Sequence, residues 1–258
     1  MNTIRFVTGL LGAWGGAFSV AGAAHAADAL PPEVRQLIVS IAPDWNATQG
    51  KLQWLERTAD GWKPVSAVVP VLYGRAGLAW GRGILGSDQD GRKKAEGDGR
   101  APAGVFSLGL IYGEAEHLPG GADFPYHQVT AADAWIEDPT LPDYNRHVVI
   151  DPRDPPPWFE KQRMKLHDPA YRWLVEIRHN ADPPVPGAGS AIFFHVRRGA
   201  NGRTAGCTTM EEKNLVQMIR WLRVAAHPHY VLLPWADYQR LAAGWKIPLP
   251  DTVKAVAP

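Results

Sequence analysis

Glycine and proline interrupt this chain so often that long regular elements have little room, with 26 Gly and 23 Pro among 258 residues. Between these breakers lie short runs rich in β-branched and aromatic residues, at 36–41, 51–57, 64–71, 104–108, 147–150, 173–177, 191–196 and 230–233. Asp60-Gly61, between the second and third runs, is a hairpin signal because both residues tolerate the positive φ of tight primed turns. The spacing predicts a mainly β fold, a sandwich or barrel with a few short helices and long loops, and not alternating βαβ units.

Two helices are expected late in the chain. Thr209-Met210-Glu211-Glu212 has the form of a capping box, with Thr209 as N-cap and Glu212 at the third helical position. Leu215, Met218, Ile219 and Leu222 follow at helical spacing, Arg220 and Arg223 suit the C-terminal end, and Pro228 stops the helix. A second short helix is predicted over 234–241. Long loops are expected at 81–103 and 151–164, and loops of that length in a compact domain usually carry function.

The N-terminus reads as a secretory signal over 1–26. A short positive segment ending at Arg5 precedes an apolar stretch from Phe6 to Val20, and Ala24-His25-Ala26 offers a small-x-small cleavage site. The competing reading is an uncleaved anchor, but the stretch is short and glycine-rich for a membrane span. The mature chain, 27–258, is then expected to be a single exported domain with no membrane contact after signal cleavage. The full sequence has 27 Lys+Arg against 26 Asp+Glu, a balance that creates no global field to draw it to nucleic acid.

In an exported protein the solitary Cys207 has no disulfide partner within the chain. It follows Gly206, precedes the predicted helix, and lies twelve residues after His195 at the end of an apolar run. Thiolates are stabilised by helix N-termini and by a neighbouring imidazole, so the pattern fits a cysteine nucleophile with His195 as its base. Gly206 allows close backbone approach, and the amides of Gly206 and Cys207 are candidate oxyanion donors. The alternative for Cys207 is a small buried core residue.

Gly189-Ser190-Ala191-Ile192-Phe193-Phe194-His195, followed by Thr204-Ala205-Gly206-Cys207-Thr208-Thr209-Met210, resembles the active-site segment of the L,D-transpeptidases with a YkuD-type catalytic domain. The segment from Glu96 to Phe106 resembles the Gly/Pro turn and strand of that family. The resemblance implies an L,D-transpeptidase-like β-rich fold and a periplasmic enzyme acting on peptidoglycan stem peptides. By the same resemblance Cys207 is acylated at an L-centre carbonyl, His195 is the general base, and a stem amine resolves the acyl-enzyme into a 3-3 cross-link. The commoner family motif has a His two residues before the Cys and an Arg soon after it. Here Ala205 and Thr209 stand in those places, which marks a divergent branch with a Thr-Ala-Gly-Cys motif and opens the alternative of a 1-3 cross-link. Two further alternatives are a cysteine L,D-carboxypeptidase or endopeptidase on the same polymer and a non-catalytic wall-binding module.

Carboxylates of a stem peptide call for cations. Arg197 and Arg203 flank the His195–Cys207 connection, and Arg92, Lys93, Lys94 and Arg100 form a basic loop; guanidinium groups hold carboxylates bidentately. Trp135 and Tyr144 lie in segments that resemble the same divergent branch and are candidate cleft residues. No cofactor is expected. His227-Pro228-His229 is the one H-x-H pattern noted, and without further convergent ligands it predicts no metal.

Overall fold

The computed structural model describes residues 29–258, so the signal at 1–26 lies outside the described residues. Five strands come first: β1 (Gln36–Ala42), β2 (Gln49–Thr58), β3 (Gly61–Pro64), β4 (Val69–Leu72) and β5 (Leu78–Trp80). β6 (Ala101–Gly113) is the longest, followed by β7 (Tyr126–Gln128), β8 (Asp133–Trp135) and β9 (His147–Val149). A one-turn helix α1 (Phe159–Gln162) precedes β10 (Trp173–Ile177), β11 (Phe193–Val196) and β12 (Thr208–Met210). Helix α2 (Glu212–Trp221), strand β13 (His229–Pro234) and helix α3 (Trp235–Leu241) complete the main elements.

The large sheet runs β1-β13-β6-β10-β11-β12-β4-β2, and β2 pairs back onto β1, so the sheet closes into a barrel. Closure removes the free edges that an open sheet would expose. The fold is thus mainly β, as the punctuated runs predict. β1 and β13 pair in parallel and are buried along their whole length, because α3 packs over them from outside; continuous apolar runs there reflect burial on both faces. The amphipathic α2 turns Leu215, Met218 and Ile219 inward. β8 and β9 form a separate two-stranded sheet.

Several expectations need correction. The run at 64–71 is two strands, because Ser66 leaves the ladder and its Oγ accepts the Trp54 amide at 2.9 Å. The run at 191–196 starts as a strand only at Phe193, since Ala191 has φ 54°, outside strand geometry. The loop at 151–164 contains α1. The capping box does not form: Thr209 lies within β12, opposite His195 on β11, and the N-cap of α2 is Glu211, with no side-chain cap bond. Sheet pairing claims the residue that local sequence assigns to a helix start.

Candidate active site

Cys207 and His195 line one cleft of about 350 Å³, together with Lys94, Glu96, Tyr171, Ser190, Arg198 and Arg203. Parallel pairing of β11 with β12 brings the two residues together. Phe194 pairs with Thr208 and His195 with Thr209, so Cys207 enters its strand one step before the pairing begins. The backbone at Gly206 passes so close to its neighbours that a Cβ there would lie 2.9 Å from both the Arg100 carbonyl oxygen and Ile192 Cδ1. A side chain at 206 would push the nucleophile's turn out of place.

The thiol donates to the carbonyl of Ala191 at 3.4 Å. Removal from water pushes it up to about 11; the Glu137 carboxylate adds to the shift, while the Phe193 amide and the Lys94 ammonium oppose it. His195 is buried, and its Nδ1–H donates to the Val196 carbonyl at 2.9 Å. Burial drives the imidazole down to about 4; Arg198 pulls the same way, against the carbonyls of Val196 and Ala170 and the Asp168 carboxylate. Among the described residues no hydrogen bond joins the thiol to the imidazole. The resting pair is therefore neutral, not the thiolate–imidazolium expected from a helix start, and β12 separates Cys207 from α2.

Two walls hold these groups. On one side, the 3₁₀ turn Pro169–Tyr171 is capped by Asp168, whose side chain accepts the Ala170 amide at 3.0 Å and also pairs with Arg198. Arg198 lies over the Tyr171 ring, which meets the His195 ring edge-on at 5.2 Å. On the other side, buried Asn145 binds four groups: its Oδ1 accepts the Ala191 amide at 3.0 Å and Trp135 Nε1 at 3.2 Å, and its Nδ2 donates to the carbonyls of His179 and Asn180. The left-handed Ala191 is thus held by its amide and by the thiol on its carbonyl.

The expected site residues separate into two groups. Arg203 lines the cleft, and Trp135 lines a second pocket of about 290 Å³ that also reaches Cys207. Glu137, Tyr171, Ala191 and Cys207 border both pockets, so the thiol stands where they meet. Arg197, the residue after β11, is outside the cleft and pairs with Glu211. Arg100 is outside as well; it donates to the Leu78 carbonyl beside Trp45 and Trp80. Of the basic loop only Lys94 reaches the cleft, buried and paired with Asp98 at 2.7 Å. Tyr144 is not a cleft residue: it is buried behind Glu96, bonding that carboxylate and accepting the Gly189 amide at 3.1 Å. The Gly206 amide donates to Thr204 Oγ1 at 3.1 Å, so it is already committed. The Cys207 amide meets no acceptor among the described residues.

Glu96, Glu137 and Tyr171 carry no sequence signal that assigns them to the site, and Lys94 stands out only as one cation of the basic loop. Lys94 and Glu96 lie in a polar loop, and only the folded path of that loop brings them beneath Gly206 and Ser190. His227 and His229 do not converge as ligands, since His229 Nδ1–H donates to the His227 carbonyl at 2.8 Å.

A family model, that of the YkuD-type L,D-transpeptidase catalytic domain, matches residues 46–231. No curated protein and no solved structure matches the chain.

Proposed function

The chain belongs to the family of L,D-transpeptidase catalytic domains, whose members act on peptidoglycan stem peptides, and from that premise we propose that it is an exported cysteine acyltransferase using Cys207 and His195. The observation that carries this reading is the shared cleft of a neutral thiol and a neutral imidazole. As Cys207 Sγ attacks the L-centre carbonyl of a donor stem, its proton passes to His195, and the Cys207 amide receives the developing oxyanion. The tetrahedral centre collapses by expelling the donor's amine, which takes the proton back from His195. A thioester remains. An acceptor stem's amine then attacks the thioester, gives up a proton to His195, and releases the thiol with a new amide formed.

The second pocket at the thiol favours transfer over hydrolysis, because a donor and an acceptor each need room beside one sulfur. Arg203 and Arg198 at the cleft, with Lys94 on its floor, provide cations for stem carboxylates. The donor bond is the third-residue bond in a 3-3 cross-link and the first-residue L-to-D bond in a 1-3 cross-link.

Purified protein incubated with disaccharide-tetrapeptide, followed by tandem mass spectrometry, tests both points. Dimers support the transpeptidase; trimmed monomers alone would leave a carboxypeptidase. Release of free D-Ala with 3-3 dimers identifies the third-residue donor. A stem cut back to its first residue identifies the 1-3 link.

A further inference from the structure

Away from the cleft, three ligand-type side chains come together from a short stretch of chain. Asp133 opens β8, and His147 opens β9 opposite Trp135. His127 sits in β7, paired in parallel with Tyr112 of β6. The Nε2 atoms of His127 and His147 approach the same oxygen, Asp133 Oδ1, at 2.5 and 2.6 Å. All three ligand atoms lie within 4.8 Å of one another, and the two imidazole rings are 4.5 Å apart.

We propose that His127, Asp133 and His147 form a binding site for a divalent transition metal, with zinc as the best-fitting ion. Two imidazole nitrogens and one carboxylate oxygen are the donor types zinc takes, whereas calcium and magnesium prefer oxygen alone. The carboxylate is presented for the task. Asp133 Oδ2 accepts both the amide and the hydroxyl of Thr130 at 2.7 Å, which fixes the carboxylate plane and leaves Oδ1 to the imidazoles. Asp133 is fully buried, while His147 and His127 are 16% and 30% exposed, so the site has a protein floor and an open side where water completes the coordination. Without an ion, each imidazole keeps a proton on Nε2 and both donate to one oxygen. An ion takes the place of those two hydrogen bonds and joins the same three atoms, each imidazole's proton moving from Nε2 to Nδ1 so that the rings stay neutral.

Such an ion would link two sheets. His127 belongs to the barrel through β6, and Asp133 and His147 belong to the separate β8–β9 sheet. Tyr112 packs edge-on against His147, Trp135 and Phe193, and Trp135 and Phe193 line the second pocket at Cys207. The metal therefore positions that pocket's wall and takes no part in the acyl transfer.

The test uses the full chain freed of metal by chelation and titrated with zinc chloride, with cobalt chloride as a spectroscopic probe. One equivalent of zinc should bind and raise the melting temperature, and cobalt should give visible d–d absorption. The His127→Gln/His147→Gln double variant should lose both signals. Thr130→Val should weaken zinc binding by about 10–100-fold, the usual effect of losing a group that orients a ligand. No zinc uptake and no cobalt absorption in the unaltered protein would overturn the proposal, whatever the variants do. Undiminished uptake in the double variant would also overturn it and place the ion on other histidines.

Discussion

His195 faces Thr209 across the parallel pair β11–β12, two residues beyond Cys207 on the neighbouring segment. Thr209 thus lies in the strand that pairs with the His195 strand. Its Oγ1 is buried with no hydrogen-bond partner among the described residues. Thr209→Val is expected to stabilise the fold by about 1 kcal/mol, since it removes an unsatisfied polar atom. The check is the urea midpoint, which should rise with an unchanged denaturant slope.

Cys207→Ala should reduce thioester and cross-link formation to background while the protein stays folded. Intact-mass spectrometry after exposure to a stem-peptide donor reads the first, and circular dichroism the second. A variant that still turns over would remove Cys207 from the nucleophile's role.

His195→Ala should slow acylation by about 10²–10⁴-fold, the usual worth of general-base assistance. Single-turnover acylation is the measurement. His179 is no substitute: it is buried, its Nδ1 accepts the Arg82 amide at 3.1 Å, and its Nε2–H donates to the Ala188 carbonyl at 3.0 Å. A loss of less than tenfold would point to a base outside this pair.

Alkylation distinguishes a neutral resting pair from an ion pair. The thiol is held up to about 11, so the reactive thiolate is a small fraction at neutral pH. Iodoacetamide labelling of Cys207 should accelerate about tenfold for each pH unit between 7 and 10, tracking the thiolate fraction. A flat rate through neutrality would mean that an imidazolium already stabilises the thiolate.

Tyr144→Phe should cost about 1–3 kcal/mol by stranding the Gly189 amide and removing the hydroxyl that bonds Glu96. Because Glu96 also accepts from Ser190 Oγ at 2.7 Å at the cleft, the substrate KM is expected to rise more than kcat falls. Thermal unfolding and steady-state kinetics check the two effects.

What could be read from the sequence follows from which interactions are local. Runs such as 36–41 and 173–177 announce strands because their own residues are β-formers bounded by breakers. The Gly206-Cys207 turn and the position of His195 are legible for the same reason. Thr209 is not, because its capping pattern with Glu212 is local while the pairing that places it in β12 comes from β11 and β4. Arg197 and Arg203 look alike in sequence, and only the folded path of the chain separates an ion pair with Glu211 from a place in the cleft. β8 has three residues, too few for any periodicity, so the ligand atoms around Asp133 become visible only when His127 and His147 fold against it.

Leu37 of β1 is paired with His229 of β13, so the barrel is closed by segments from nearly opposite ends of the described chain. A chain emerging from its N-terminus cannot complete this closure until β13 has been made. Loop-closure entropy for so long a separation is offset only when the last strand docks, which places folding among the slow, non-local topologies. β11 and β12 share a continuous sheet with that seam. The finished cleft is therefore a late product of folding, and a chain cut before β13 would carry Cys207 without the burial that raises its thiol above the ordinary range.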